Sequence, residues 1–452
     1  MSFLSAAFIL GLVVFCAVYF TFADSWVLHP TNNHIYENGE FSGGGAITDS
    51  KGTVLCETVD GQRVFHKDKT IRMATLHAVG DANGFISSGA QTAFREELSG
   101  YSKITGLFPL GESSNNIKLT IDADVSATAL NALGSYNGVV GVYDYKTGEI
   151  ICMVSSPTYD PENEEDTKEA IEGGYEGVFM NRFLASTYAP GSTFKIVTAA
   201  AAIETFPDAY ERTYTCRGTC TLGGEEVKCT GYHNDISLKD AFAVSCNCYF
   251  ASLAVDLGKE TMTEYAEKFG FGEDFYLDGI EAAKSSYNVE EARTIELGWS
   301  GIGQYTDMQN PLQYLTSIGG IANGGAPVKP YFISEITNNS GRTLKSGKAD
   351  ELDDICKPDT AEQISELMAG ATKVTYGGKE FFGGMDVRGK TGTAEWGDEK
   401  TVPHAEFVGF CSEEEYPFAF IVVVEKGGSG NYIAKNIANQ VLQAAKKSYD
   451  AK

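Results

Sequence analysis

The chain has 452 residues, enough for one large domain and a smaller companion. Its apolar share of 43% supports a sizeable core. A net charge of −26 argues against a nucleic-acid partner, which needs a basic footprint, and against adhesion to anionic lipid by charge alone.

Phe3 to Ala23 is a run of 21 residues without a charge, long enough to span a bilayer. A secretory signal would carry a basic leader and a shorter apolar core, so residues 1–23 are read as an uncleaved transmembrane anchor. No Lys or Arg precedes Lys51, so the positive-inside rule gives no orientation. No second span follows, and the expectation is a single-pass protein. Residues 24–50 are rich in Gly and Asn and read as a tether. Ala46 to Thr58 alternates around a Ser-Lys-Gly turn and reads as a hairpin. Residues 24–115 are taken as a small, irregular first domain, with Pro109 to Asn116 as the boundary loop.

Residues 116–452 form the larger unit. "IKLTIDADVSATALNAL" reads as a strand and then a helix, and "GVVGVYDYKTGEIICMVSS" as two strands about a Lys146-Thr147-Gly148 turn. "DPENEEDTKEAIEGG" is an acidic surface segment. Late in the chain come "MDVRGKTGTAEW", "AEFVGFCS" and "PFAFIVVVEKG", three more strand-like runs, then an amphipathic helix, "YIAKNIANQVLQAAKK". Two strands early, three late and helices between them predict an α+β fold, an antiparallel sheet covered by helices.

Three stretches carry chemistry. In "YAPGSTFKIVTAAAAIE", Pro190-Gly191 stops the preceding segment and puts Ser192 at a helix N-terminus, where free N–H groups favour a developing alkoxide. Lys195, three residues on, reaches the same face. Packed among Ala and Ile, its amine is desolvated and basic, and a hydroxyl beside a basic amine is an activated nucleophile. Alone, the pair reads as well as an N-cap serine and a surface lysine. "AFAVSCNCYF" places Ser245 and Asn247 inside a helical apolar segment, as proton relay and amide-holding group, or as two cap residues. "RGKTGTAEW" places Lys390, Thr391, Gly392 and Thr393 in a strand. The lysine and threonines suit a carboxylate, and Gly392 lets backbone approach backbone.

Together these are the motif set of penicillin-binding proteins and serine β-lactamases. Over about residues 117–452 the chain resembles a class B penicillin-binding protein, a peptidoglycan DD-transpeptidase. "GIGQYTDMQNPLQYLTSIGGIANGG" matches a further family segment, whereas "GGGAITD" replaces the family's early Arg-Gly signature. The resemblance implies a five-stranded sheet and a pedestal-like first domain. It implies that Ser192 attacks the penultimate D-Ala carbonyl of a stem peptide and that Lys195 takes its proton. Ser245 passes a proton to the leaving D-Ala, and Asn247 orients the peptide. Lys390, Thr391 and Thr393 hold the terminal carboxylate. The oxyanion sits between the N–H groups of Ser192 and Thr393. β-Lactams would acylate Ser192. Implied partners are peptidoglycan stem peptides, the membrane and a membrane-embedded glycosyltransferase, with the catalytic domain extracytoplasmic and no cofactor for catalysis. Lys146-Thr147-Gly148 has the same letters but is a hairpin turn and receives no role. His404 is read as structural. The alternatives are a class D-like β-lactamase or other serine acyl hydrolase, and a catalytically silent cell-wall scaffold.

Ten cysteines remain to be placed. Cys216, Cys220, Cys229 and His233 follow a C-x3-C-x8-C-x3-H spacing around a Gly-Gly turn, which suits a structural Cys3His zinc site. One disulfide with a spare thiol is the rival. Cys246 and Cys248, flanking Asn247, are read as buried helix residues.

Overall fold

Apolar β-branched runs and amphipathic helices sort into the layers expected of an α+β protein. The computed structural model describes residues 2–451 apart from 28, 30, 31, 33–35, 38, 39, 42, 102–113 and 396–400. In chain order the principal elements begin with helix α1 (Ser2–Val27), helix α2 (Ala123–Leu133) and strands β1 (Gly138–Asp144) and β2 (Ile150–Ser156). Helix α3 (Lys195–Thr205), strands β3 (Thr213–Leu222) and β4 (Glu225–Ser237), and helices α4 (Asn247–Lys268), α5 (Pro311–Ala322) and α6 (Pro358–Ala371) follow. Strands β5 (Val387–Ala394), β6 (His404–Cys411) and β7 (Phe418–Val424) and helix α7 (Ile433–Tyr449) complete the chain.

The central sheet has the order β5-β6-β7-β1-β2 and is antiparallel throughout. All residues of β1, β2 and β7 are buried, because helices cover both faces. Helix α7 turns one apolar stripe inward: Ala434, Ile437, Ala438, Val441, Leu442 and Ala445 recur at helical spacing. Helix α5 is buried from Pro311 to Ile321. It starts at Asn310, whose side chain accepts from the N–H groups of Leu312 and Gln313. Strand β5 is left at the sheet edge, so one side of its backbone is available to other groups.

The front of the chain is more ordered than its composition predicts. Ile47–Thr48 pairs with Val54–Val59 as the expected hairpin, and that strand pairs in turn with Gln62–Phe65. A helix, Lys69–Val79, follows Asp68, whose carboxylate accepts from Thr70 and Ile71. Its mixed, polar sequence hid it. Asn116–Leu119 lies parallel to Ile47–Thr48 and antiparallel to Ile333–Thr337. One six-stranded sheet therefore unites segments from both sides of residue 115. Of the boundary loop Pro109 to Asn116, residues 109–113 lie outside the described residues. Phe3–Ala23 is apolar and exposed over nearly all its length, with Ala23 buried at its end, a helix long enough to cross a membrane.

Candidate active site

Four segments meet at the open edge of β5. The first is a tight 3-10 turn, Gly191–Phe194, which feeds directly into α3. Ser192 stands on this turn, and Lys195 begins the helix with its side chain fully buried. The turn sits against β5 because position 392 is glycine. A Cβ there would lie 2.9 Å from the Pro190 carbonyl oxygen and 3.1 Å from Thr193 Cγ2. Gly303 backs the same turn. Its φ is +73°, and a Cβ on it would fall 2.2 Å from the Gly191 carbonyl oxygen.

The second segment corrects the sequence reading. Ser245 is not inside a helix but in the break between Leu238–Ala243 and α4, with a left-handed φ of 58°. The break turns its hydroxyl and carbonyl toward α3. Asn247, half-buried, opens α4 and lines the cleft.

The amines organise the centre. Lys195 Nζ lies within hydrogen-bond distance of four oxygens: Ser192 Oγ at 3.1 Å, Ser245 Oγ at 3.0 Å, the Ser245 carbonyl at 2.8 Å and Asn247 Oδ1 at 2.7 Å. Burial, with Lys390 as the next cause, pushes its pKa well below the ordinary lysine value. Lys390 Nζ donates to the same Ser245 hydroxyl at 2.9 Å and to the Thr391 carbonyl at 3.0 Å. Burial lowers it to about 7. An amine kept neutral by burial beside a hydroxyl can act as a general base toward it.

Strand β5 supplies the opposite wall. The N–H and hydroxyl of Thr391 meet the Tyr376 hydroxyl at 3.1 and 3.0 Å, a partner no sequence signal announced. Strand alternation aims the Thr393 N–H the same way, off the free edge of the sheet toward the Ser192 turn. The cleft between these walls has a volume of about 490 Å³, and Ser192, Asn247, Trp299, Gln304 and Thr393 are among its lining residues. Lys146-Thr147-Gly148 is a surface turn between β1 and β2. There Lys146 Nζ donates to Asn323 Oδ1 at 2.8 Å. His404 is structural in its contacts: its Nδ1 accepts from the Lys426 N–H at 3.0 Å and its ring meets Tyr188 edge-on.

The cysteine cluster also differs from its spacing-based reading. The ligand atoms of Cys216, Cys229, His233 and Cys246 lie within 4.8 Å of one another. Cys220 is not among them; its thiol meets the Cys248 carbonyl at 3.8 Å. The reason is strand geometry: Cys216 and Cys220 lie on one continuous strand, β3, where four residues span about 13 Å. A bulge in β4 between Lys228 and Asn234 swings Cys229 and His233 over Cys216 instead. The break at Ser245 delivers Cys246 as the fourth group. The Asn247 N–H donates to Cys229 Sγ at 3.3 Å, so the cluster touches the active site directly.

Comparison with known proteins agrees with this geometry. Residues 138–443 match the penicillin-binding protein transpeptidase domain model, and the chain belongs to that family. It is similar to the peptidoglycan D,D-transpeptidase PbpA of Mycolicibacterium smegmatis, 29% identical over 80% of each chain. It is also similar to stage V sporulation protein D of Bacillus subtilis, 29% identical over 69% of this chain and 49% of that one. The solved penicillin G acyl-enzyme complex of penicillin-binding protein A from M. tuberculosis superposes with a TM-score of 0.78. It is 26% identical and covers 89% of this chain and 99% of that one. The family named by the three motifs is thus the family found, and the five-stranded sheet is its transpeptidase fold.

Proposed function

We propose that the chain is a peptidoglycan D,D-transpeptidase whose nucleophile is Ser192. The contact of 3.1 Å between the buried Lys195 amine and Ser192 Oγ carries this reading. Lys195 takes the hydroxyl proton as Ser192 attacks the carbonyl of the penultimate D-Ala. The oxyanion is held by the N–H groups of Ser192 and Thr393. Asn247 orients the peptide through its side-chain amide. Lys390, Thr391 and Thr393 receive the terminal carboxylate. Ser245, bonded to both amines, passes the proton to the departing D-Ala nitrogen. The amine of a second stem then attacks the acyl-enzyme, restores Ser192 and completes the cross-link. β-Lactams enter the same pathway and stall as acyl-enzymes, as they do in the M. tuberculosis relative.

Residues 1–23 anchor the protein in the cell membrane, residues 24–115 act as a pedestal, and residues 116–452 work outside the cytoplasm beside a membrane-embedded glycosyltransferase. Intact-mass measurement after incubation with penicillin tests the central claim. One adduct on the wild type and none on Ser192→Ala supports it. An adduct on both variants at equal rate refutes it.

The thiol and imidazole cluster is assigned a structural zinc. Three thiols and one imidazole are the ligand set of closed zinc sites, and a tetrahedron with Zn–S arms of about 2.3 Å has edges of about 3.8 Å. Cys229 Sγ stands 3.8 Å from Cys246 Sγ and 3.6 Å from His233 Nδ1. Bound there, zinc would clamp the β3–β4 hairpin to the start of α4.

A further inference from the structure

Strand β5 is a free edge of the central sheet, and every second residue turns its N–H outward. Gly389, Thr391 and Thr393 form that series. One short segment covers the first two. A single π-helical turn, Thr372–Tyr376, follows α6 and ends at Gly377, whose φ is +94°. Thr372 Oγ1 accepts the Gly389 N–H at 3.1 Å, and the Tyr376 hydroxyl oxygen accepts the Thr391 N–H at 3.1 Å. The Thr393 N–H is left facing the Ser192 turn. Tyr376 itself is only 1% exposed. Its ring packs edge-on against Phe407, the residue opposite Thr391 on β6, with centroids 5.5 Å apart. Lys435 Nζ donates to the Tyr376 carbonyl at 3.3 Å. Packing and backbone together fix where this hydroxyl stands.

The same oxygen also takes the Thr391 hydroxyl, Oγ1 donating at 3.0 Å. Burial raises the Tyr376 pKa, so the phenol keeps its proton. Among the described residues no other group bonds to that hydroxyl. Thr391 therefore commits its one hydroxyl proton to Tyr376, while the Tyr376 proton has no acceptor there. A buried donor without a partner costs free energy. A carboxylate beside Lys390 resolves both. Thr391 turns its proton to the carboxylate, and Tyr376 turns its own to the vacated Thr391 oxygen. The result is a chain from phenol to hydroxyl to anion, in which each bond polarises the next and the last is charge-assisted. We propose that Tyr376 is a positioning residue for the substrate's terminal carboxylate, acting through Thr391. A neutral terminus in the same place gains less from the chain, so the phenol adds to the discrimination between the two. The inference rests on the transpeptidase reading, in which Thr391 receives that carboxylate.

The test uses the full chain and two thioester donors of one acyl-D-Ala group. Their leaving groups end in a carboxylate or in the matching carboxamide. The kcat/KM for each is read from the loss of thioester absorbance, and the ratio of the two is the preference. Tyr376→Phe keeps the ring and removes the hydroxyl. It should lower the preference for the carboxylate by about threefold to tenfold, the scale of one hydrogen bond, with the carboxamide rate changed by less than about twofold. Tyr376→fluorotyrosine, a stronger donor of nearly the same shape, should raise the preference. Thr391→Val removes the oxygen through which Tyr376 acts, so adding Tyr376→Phe to that variant should change the preference no further. Equal losses for both donors in Tyr376→Phe would reduce Tyr376 to a structural support and overturn the proposal. So would a preference unchanged in Tyr376→Phe, one not raised by the fluorinated ring, or one that falls again in the double variant. A wild type that consumes neither donor and takes no penicillin adduct overturns the transpeptidase reading itself, and the role of Tyr376 with it.

Discussion

Lys390 Nζ lies 2.9 Å from Ser245 Oγ, the hydroxyl that also lies 3.0 Å from Lys195 Nζ. One hydroxyl therefore joins two buried amines, and in the proposed mechanism it gives a proton a route between Lys195 and Lys390. The left-handed backbone at Ser245 is the structural cost of placing it there. Ser245→Ala should slow penicillin acylation by roughly 10²–10⁴-fold, the usual scale for losing one positioned proton-transfer group. Stopped-flow acylation with reporter penicillin measures it. A variant within twofold of wild type would remove Ser245 from the proton path.

The two Lys-Thr-Gly runs offer an internal control. Lys390→Ala should weaken acylation by about tenfold to a hundredfold, the scale of a charged hydrogen bond to a carboxylate. Lys146→Ala should change it by less than twofold, because the Lys146 side chain reaches Asn323 and the adjacent Tyr145 ring on the surface and not the Ser192 cleft. Parallel second-order acylation rates decide. Equal losses in the two variants would refute the assignment of the carboxylate site.

The pH dependence separates the two amines. Lys195 must be neutral to act as base, so the second-order acylation rate should rise with pH through its titration. Lys390 is lowered to about 7 by burial, so its charge fades as pH rises through that value, and with it the attraction for a substrate carboxylate. The profile is expected to be bell-shaped, its falling limb belonging to Lys390 in the free enzyme. Lys390→Arg keeps a positive charge at all these pH values and should carry the falling limb upward. A falling limb unmoved in that variant would assign it to another group.

Much of this site is legible in the sequence. Ser192, Lys195, Lys390 and the threonines lie in short contiguous motifs, and the local geometry of a helix start or a strand fixes their relative placement. The β-branched strands and the amphipathic last helix were equally plain, because burial on one or two faces writes a period into the sequence. What failed was irregular backbone. "AFAVSCNCYF" is largely apolar and helix-compatible, so its sequence hides the break at Ser245, which tertiary contact with Lys195 reveals. Cys220 was favoured over Cys246 because spacing was read as if the segment were a turn. A long hairpin with a bulge selects different sulfurs. Tyr376 reaches Thr391 from a separate helical turn and leaves no local trace.

Beside β5 lies a group the proposed mechanism does not use. Glu406 on β6 is fully buried beside Gly392. The Gln309 amide donates to one of its carboxyl oxygens, and among the described residues no cation forms an ion pair with it. Burial pushes its pKa well above the ordinary glutamate value, so the folded protein holds it as a neutral acid. Above the unfolded value of about 4.3 the unfolded chain releases this proton while the folded chain keeps it. Stability then falls with rising pH by about 1.4 kcal/mol per unit until the folded group titrates. Glu406→Gln preserves shape and removes the titration. Its melting temperature relative to wild type should therefore be higher at pH 8 than at pH 5. Calorimetry at both pH values checks this, and an equal difference at the two would show that Glu406 ionises normally in the fold.

The last prediction joins the sulfur cluster to catalysis. Cys229 Sγ accepts the Asn247 N–H at 3.3 Å, and Asn247 Oδ1 in turn accepts from Lys195. Metal bound by Cys216, Cys229, His233 and Cys246 would thereby fix the first residue of α4 and, through it, the base. Purified protein should contain about one equivalent of zinc. Its removal by chelator should lower the melting temperature, since binding energy at such a site is folding energy. Penicillin acylation of Ser192 should slow by about tenfold or more, although no ligand touches substrate, as expected when a positioning contact is lost. Cys246→Ser should reproduce both effects, whereas Cys220→Ser, which alters a sulfur outside the cluster, should retain the metal. Zinc below a tenth of an equivalent, with Cys229 and Cys246 recovered as a disulfide, would replace the metal with a covalent clamp at the same place. Equal zinc loss in the Cys220 and Cys246 variants would restore the ligand set predicted from spacing alone.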